Sequence, residues 1–439
     1  MHSDTYLAHA LATAFLRGEW TADQLSGRAA DMLGRRWPWL HRLAERVVTR
    51  RWGVMRPTQA QVTDFILRDA GFHRAYERYD LSVTNWLVGH EVMCPAEKAR
   101  AWRLPEICTS RELANWLGVS IRELDWFADS RCLSHRHFAE RRSHYRYRLV
   151  SKRFGQARLI EAPKARLKAI QRRILTGILE GIPPHLAAHA FRHGTSICTF
   201  AAPHVGRHVV VRLDLRDFFP SISRARVRAV FRTAGYPEQV ATTLAELCTS
   251  ITPLEIWNPH ELRAGESMAE LQGRYGRPHL PQGAPSSPAL ANLCAYRLDC
   301  RLTGLAESVG AAYSRYADDL AFSGDDAFRL SARRFSVHAS AIALDEGFSV
   351  HHRKTRIMHR GVRQQLAGIV VNERLNLRRS DYEQLKATLT NCVRHGPASQ
   401  NREGHSDFRR YLEGRISFVH MLNEAKGSKL KALFQRIRW

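Results

Sequence analysis

Asp318 and Asp319 stand side by side in YADDLAF, a stretch of apolar and aromatic residues that otherwise suits a β-strand. Buried together they would repel each other and lose hydration, unless a cation compensated them. An isolated Asp-Asp pair is most often a solvated turn, so a second acidic position is needed to decide. Asp214 supplies it, inside the apolar run VVVRLDLRDFF. A strand carrying Asp214 beside a hairpin carrying Asp318 and Asp319 would bring three carboxylates to one end of a sheet. Such a set holds two Mg²⁺ ions about 3.5–4 Å apart for in-line phosphoryl transfer. One ion would lower the pKa of the attacking hydroxyl, and the other would stabilise the leaving group. LPQGAPSSP is a third candidate: Gln282 offers an amide, and Gly283 lets the backbone approach a ligand closely. Pro281, Pro285 and Pro288 stiffen the approach to the next helix.

These residues need elements to position them. Residues 209–219 read as a buried strand, AAYSRYADDLAFSG as a hairpin turning at Ala317-Asp318-Asp319, and RQQLAGIVVNERLNL as another hairpin. PSSPALANLCAYRLDCRLTGLA reads as one helix opening near Pro288. Upstream, HYRYRLVSKRFGQARLIEAP alternates about a Phe-Gly turn, which predicts a basic hairpin. Leu167, Ile170, Ile174, Leu175 and Ile178 then recur at helical spacing, with Arg166, Lys168, Arg172 and Arg173 on the other faces. Thr109 with Glu112, Ser120 with Glu123 and Ser380 with Glu383 have capping-box spacing, and Gly118 falls where a helix should stop. The first two boxes predict a packed helical pair rather than a DNA-reading helix-turn-helix.

The chain has 439 residues, enough for two or three packed units, and 44% are hydrophobic, which excludes global disorder. Its net charge of +25 favours a polyanionic partner. Residues 140–175 carry twelve Lys/Arg against Glu140 and Glu161, and residues 351–379 carry eight against Glu373. Tyr145, Tyr147 and Phe154 are interleaved with the first cluster, which suits stacking beside phosphate contacts. The eight cysteines show no CxxC and no zinc-ligand spacing, which predicts reduced thiols. The opening residues lack a basic leader with a clean apolar run, and no stretch approaches membrane-spanning length. The expectation is a soluble cytoplasmic protein with no membrane partner.

VRLDLRDFFPSI, LPQGAPSSPALAN and YSRYADDLAFSG, in that order, resemble the three central palm motifs of reverse transcriptases, and the likeness extends over roughly residues 110–439. More narrowly, LANWLGVSIRELDWFA, RLIEAPK, FRHGTSICTFAAPHVGR and RISFVHMLN resemble segments of bacterial retron or retron-like reverse transcriptases. The resemblance implies an α+β right-hand polymerase of fingers, palm and thumb, with a ferredoxin-like antiparallel palm sheet and an N-terminal helical extension. The implied division is 1–105 extension, 106–208 fingers, 209–379 palm with an insertion at about 225–280, and 380–439 helical thumb.

By position, the resemblance makes Asp214 and Asp318 the principal ligands of two Mg²⁺, Asp319 a supporting carboxylate and Leu215 a carbonyl ligand. Asp217 and Phe218 would offer backbone groups to the triphosphate, and Phe219 would be the steric gate that excludes a ribose 2′-OH. Gln282 and Gly283 would border the nucleotide, Lys152 and Arg158 would clasp its triphosphate, and Lys354 would act as general acid on pyrophosphate. Arg166, Lys168, Arg172, Arg173, Arg353 and Arg356 would contact nucleic acid. The implied partners are a structured non-coding RNA serving as template and primer, its DNA product, dNTPs and a separately encoded effector in phage defence. Two departures stand out: Phe200 replaces the retron Asn before Ala201 and His204, and Leu366-Ala367-Gly368 replaces Val-Thr-Gly. Alternatives are an intron-derived or other defence-associated reverse transcriptase, and a catalytically idle RNA-binding scaffold.

Overall fold

A computed structural model describes residues 3–17, 19–50, 52, 57–85, 92–130, 143–151, 157–257 and 268–439. By its internal contacts the chain divides into two units, Met1–Ile182 with Ile222–Ser287, and Pro183–Ser221 with Pro288–Trp439.

The first unit opens with helices Asp4–Leu16, Ala22–Met32, Pro38–Thr49, Gln59–Leu67 and Ala70–Arg78. Ser3, Thr21, Thr58 and Asp69 cap four of them by accepting from backbone N–H groups of the first turn. Their apolar faces meet in one core that includes Leu11, Phe15, Leu43, Val62, Ile66 and Phe72. Both expected capping boxes form, at Thr109 for helix Ser110–Leu117 and at Ser120 for helix Ile121–Ala128, with Gly118 left-handed at φ 69° between them. Strands β1 (Tyr145–Ser151) and β2 (Ala157–Pro163) make the antiparallel hairpin expected from the alternation. Its Phe154-Gly155 turn and Lys152 lie outside the described residues. Helix Ala165–Gly177 follows, burying Leu167, Ile170 and Ile174 and leaving Arg166, Lys168, Arg172 and Arg173 exposed. Helix Met268–Tyr275 follows, and its Leu271 and Tyr275 pack with Leu159 and Trp257.

The second unit is built on an antiparallel sheet of β3 (Val209–Arg216), β4 (Ala312–Tyr316), β5 (Asp319–Gly324), β6 (Ser349–Val350) and β7 (Arg356–His359). Its order is β4-β5-β3-β6, with β7 also paired to β3. The β3–β5 register sets Asp214 opposite Asp319. Helix Asp326–Asp345 packs on β3 through Phe328, Ala332, Phe335, Ala339 and Ala343. β4 and β5 form the hairpin expected around Asp318, and a further hairpin, β8 (Gln365–Leu366) with β9 (Ile369–Val370), turns at Ala367 and Gly368, both at positive φ. That is the two-residue turn whose twist suits a hairpin. Helices Arg379–His395, Phe408–Leu422 and Glu424–Gln435 close on Leu385, Leu389, Leu412, Val419 and Leu430.

Three expectations are corrected. The single helix from Pro288 is two, Ser287–Cys294 and Tyr296–Glu307, broken where Ala295 takes φ −87° and ψ 1°. Ser380 does not cap the C-terminal helices: helix Arg379–His395 has Arg378 at its N-cap, and the Ser380 hydroxyl turns to Asp381. Strand β3 stops at Arg216, and Asp217 at φ 48° starts a turn, so strand alternation does not separate Phe218 from Phe219. Among the described residues no helix is long and apolar enough to cross a membrane.

Candidate active site

Asp214 is the penultimate residue but one of β3, 5% exposed, at the end of a run in which Val209, Val210, Val211 and Leu213 are buried. Asp318 sits in the β4–β5 turn, and its backbone carbonyl accepts from the N–H of Leu215 at 2.9 Å. That bond and the strand register bring Asp214 and Asp318 to one end of the sheet. Burial, then the charges of Asp319 and Asp214, push the Asp318 carboxyl up to about 6. Asp319 is also raised by burial, against the opposing pull of Arg212.

Asp319 is engaged elsewhere. Nε and Nη2 of Arg212 both donate to its Oδ1, at 2.9 and 2.6 Å. Among the described residues no three His, Cys, Asp or Glu side chains gather into a metal-holding group. The charges of Asp214 and Asp319 both act on Asp318, while Asp319 is also held by a guanidinium. Arg212 was not singled out from the sequence. It lies two residues before Asp214, and strand alternation puts both on one face.

Lys354 lies in the His352–Lys354 turn after β6. Its Nζ donates to Oδ1 of Asp214 at 2.8 Å, and the His351 N–H donates to the Asp214 carbonyl at 2.7 Å. Thus a cation already compensates the most buried of the three acids. The residues fit a divalent ion by the same logic. Mg²⁺ typically takes one or two carboxylates and completes its shell with water and substrate phosphates. Two partly buried carboxylates, one with a raised pKa, are a set whose ionised form such an ion stabilises.

Phe218 is buried, its ring 5.6 Å from that of Phe348. Phe219 is half-buried, 6.2 Å from Phe191. The Asp217 carbonyl accepts from Ser221 at 2.9 Å. Arg353 and Arg356 are exposed, and Nη1 of Arg356 donates to the carbonyls of Arg353 and Thr355. The two departures from the retron pattern meet in one core: Phe200 and Leu366 are fully buried in the same cluster, with Ile369 and Val371.

Arg158, Gln282 and Gly283 belong to the first unit. The Glu161 N–H donates to the Gln282 carbonyl at 2.8 Å, stitching this loop to β2, the strand that carries exposed Arg158. Gly283 has φ +133°, and a Cβ there would lie 3.0 Å from the Glu161 carbonyl oxygen. Only glycine fits both conditions. Behind the loop is a buried pair that sequence reasoning missed. His279 Nε2 lies 2.9 Å from Glu161 Oε2, and its Nδ1 2.8 Å from the Arg277 carbonyl. Both neighbours are acceptors, so the ring is held as imidazolium. Burial pulls its pKa down, but Glu161 and the two hydrogen bonds outweigh that, and the net shift is upward. Thr252 donates to the other Glu161 oxygen at 2.9 Å. On the adjacent helix, Arg166 pairs with Glu123 at 2.6 Å and Arg173 lies 5.4 Å over Trp116, while Lys168 and Arg172 are exposed.

The sequence pattern matches the family described as reverse transcriptase (RNA-dependent DNA polymerase) over residues 150–396, and the chain belongs to that family. It is 42% identical over 342 residues to the retron Mx65 reverse transcriptase of Myxococcus xanthus, spanning 76% of this chain and 73% of that one. Against the retron Mx162 reverse transcriptase of the same organism it is 37% identical over 350 residues, 75% of this chain and 67% of the relative. The retron Ec86 reverse transcriptase of Escherichia coli is 32% identical over 251 residues, 56% of this chain and 69% of the relative. With these likenesses the chain is a reverse transcriptase of the retron type, an RNA-directed DNA polymerase, and the substitutions at Phe200 and Leu366-Ala367-Gly368 do not remove it from that group.

Proposed function

We propose that this polymerase copies a structured non-coding RNA, which also primes it, into DNA in a retron that defends against phage with a separately encoded effector. In this reading the antiparallel sheet is the ferredoxin-like palm of a right-hand polymerase within residues 209–379, with about 225–280 inserted. Residues 106–208 are the fingers region, 380–439 the helical thumb, and 1–105 a helical extension.

Asp214 and Asp318 would hold two Mg²⁺, with the Leu215 carbonyl, and Arg212 keeps Asp319 beside them as a supporting charge. Bound Mg²⁺ would supply Lewis-acid stabilisation for the primer 3′-OH, the triphosphate and the leaving pyrophosphate. Lys354, whose ammonium lies on Asp214, protonates the pyrophosphate. Phe219 presents its ring to the sugar, while the backbone of Asp217 and Phe218 meets the triphosphate. From the first unit, Gln282, Gly283, Lys152 and Arg158 are assigned to the incoming nucleotide. Arg166, Lys168, Arg172, Arg173, Arg353 and Arg356 are assigned to nucleic-acid phosphates.

The observation that carries the reading is the pairing of β3 with β5, continued by the Leu215–Asp318 backbone hydrogen bond, which sets the costly carboxylates of Asp214, Asp318 and Asp319 at one sheet end. Sequencing the nucleic acid that copurifies with the full chain tests it. A DNA strand covalently joined to an RNA is expected, and an Asp318→Ala preparation should hold the RNA alone. Unlinked RNA in both preparations would overturn the retron reading.

A further inference from the structure

Arg315 is fully buried, and so is the carboxylate it meets, Asp299. Nε and Nη2 donate to the two Asp299 oxygens at 2.7 and 2.6 Å, a bidentate pair. A buried ion pair of this kind is a weak device for stability alone, since apolar residues of similar volume often do as well. The rest of the guanidinium has a more specific target. Nη1 donates to Asn292 Oδ1 and to the Ala317 carbonyl, each at 3.1 Å. Asn292 is itself fixed by donating to the Ala190 carbonyl at 2.7 Å. The break at Ala295 separates the helices that bring Asn292 and Asp299 to this one group.

Ala317 needs such a restraint. It is a non-glycine residue at φ 55°, a left-handed conformation that persists only where surrounding contacts over-determine it. Its carbonyl belongs to the planar peptide that leads into Asp318. On the far side, the Asp318 carbonyl is held by Leu215 at 2.9 Å. Asp318 is thus clamped through the peptide on each side, by Arg315 in front and by β3 behind. The same guanidinium lies 5.7 Å from the centre of the Phe218 ring, which abuts Phe219.

We propose that Arg315, anchored by Asp299 and Asn292, is a positioning residue for DNA synthesis that sets the Ala317–Asp318 peptide so that the Asp318 carboxylate meets its metal. This rests on Asp318 being a catalytic carboxylate. Amide exchange in the metal-free protein reports on the turn whether or not that is so, which keeps the two failures distinguishable.

The test compares Arg315→Lys with Tyr313→Phe in the full chain on a poly(rA)·oligo(dT) template–primer. Lysine keeps the charge but cannot reach Asp299 and the Ala317 carbonyl together. Tyr313 donates to Asp299 Oδ1 at 2.7 Å, so its loss weakens the same buried network without touching the turn. Arg315→Lys should lower kcat by about 10²-fold, the scale of a roughly 1 Å misplacement, with template–primer affinity and dNTP KM nearly unchanged. It should also speed exchange of the Asp318 and Asp319 amides without metal. Tyr313→Phe should lower Tm but leave kcat and those amides near wild type. Equal kcat losses in the two variants, or wild-type kcat and exchange in Arg315→Lys, would overturn the proposal. If Arg315→Lys does not fold, Asn292→Ala, which releases only the Nη1 end, decides on the same two readouts.

Discussion

At the end of the β3–β5 ladder, charged side chains are committed to named partners: Asp319 to Arg212, Asp214 to Lys354, and Arg315 to Asp299 beneath the turn. On the basic hairpin and the Ala165–Gly177 helix, the charges face outward. Arg158, Arg166, Lys168, Arg172 and Arg173 are exposed, while the buried Glu161–His279 pair holds the backbone behind them. The first region works by position, so one atom moved should stop it. The second works by summed charge on a rigid support, so single losses should be graded and the support should matter more than any one arginine.

The largest effect that can break this contrast is at the acids. Asp214→Ala or Asp318→Ala should cut Mg²⁺-dependent primer extension by about 10³-fold or more while RNA binding persists. Asp319→Asn should cost less, because Arg212 holds that carboxylate. Arg158→Ala should cost about tenfold or less by the reasoning for exposed charges. Comparable losses at Arg158 and Asp318 would erase the distinction.

Next is sugar selection. Phe219→Ala or Phe219→Val should raise the ribonucleotide-to-deoxynucleotide ratio of kcat/KM by about 10–10²-fold, with much of the deoxynucleotide activity retained. Phe218→Ala should instead lower stability, since that ring is buried against Phe348 and Arg315. Control of the ratio by Phe218 would transfer the gate to the residue that the turn buries.

What could be read from the sequence was mostly local. The capping boxes at Thr109 and Ser120, the left-handed Gly118 and all three hairpins depend on residues a few positions apart. The acids stood out because a carboxylate in an apolar run needs a cause. The partners that give the site its rigidity did not stand out. Arg212 meets Asp319 across 107 residues, and His279 meets Glu161 across 118, distances over which pattern carries no signal. Local errors had local causes. Ser380 looked like a cap, but the helix begins one residue before it. Phe218 and Phe219 looked like alternating strand positions, but β3 had already ended at Arg216.

The rigid support gives a third prediction. The His279 pKa is raised in the folded protein. Its stabilising charge is therefore fully present below about 6.5, the unfolded value, and is lost as pH rises through the folded value. Wild-type Tm should fall over that window, and the fall should be shallower in His279→Gln. Glu161→Gln should cost about 3–5 kcal/mol in neutral buffer, the scale of breaking a buried pair. Parallel wild-type and His279→Gln profiles across that window would remove the imidazolium from the account.

The smallest effect belongs to the outward charges. Replacing Arg172 and Arg173 together with Gln should weaken RNA binding with little regard to sequence. The log–log salt slope should become shallower by about 1.4, or roughly 0.7 per phosphate contact on a single strand. An unchanged slope would turn that helix away from RNA.

The central claim is that Asp214 and Asp318, rather than all three aspartates, hold the metals. Anomalous diffraction from crystals grown with Mn²⁺, template–primer and an unreactive dNTP analogue tests it most directly. The account predicts metal density within about 2.0–2.2 Å of oxygens from both Asp214 and Asp318, with Asp319 still on Arg212. Metal on all three aspartates with Asp319 drawn off Arg212, metal on Asp319 with Asp318 uninvolved, or no metal at Asp214 and Asp318, would contradict it.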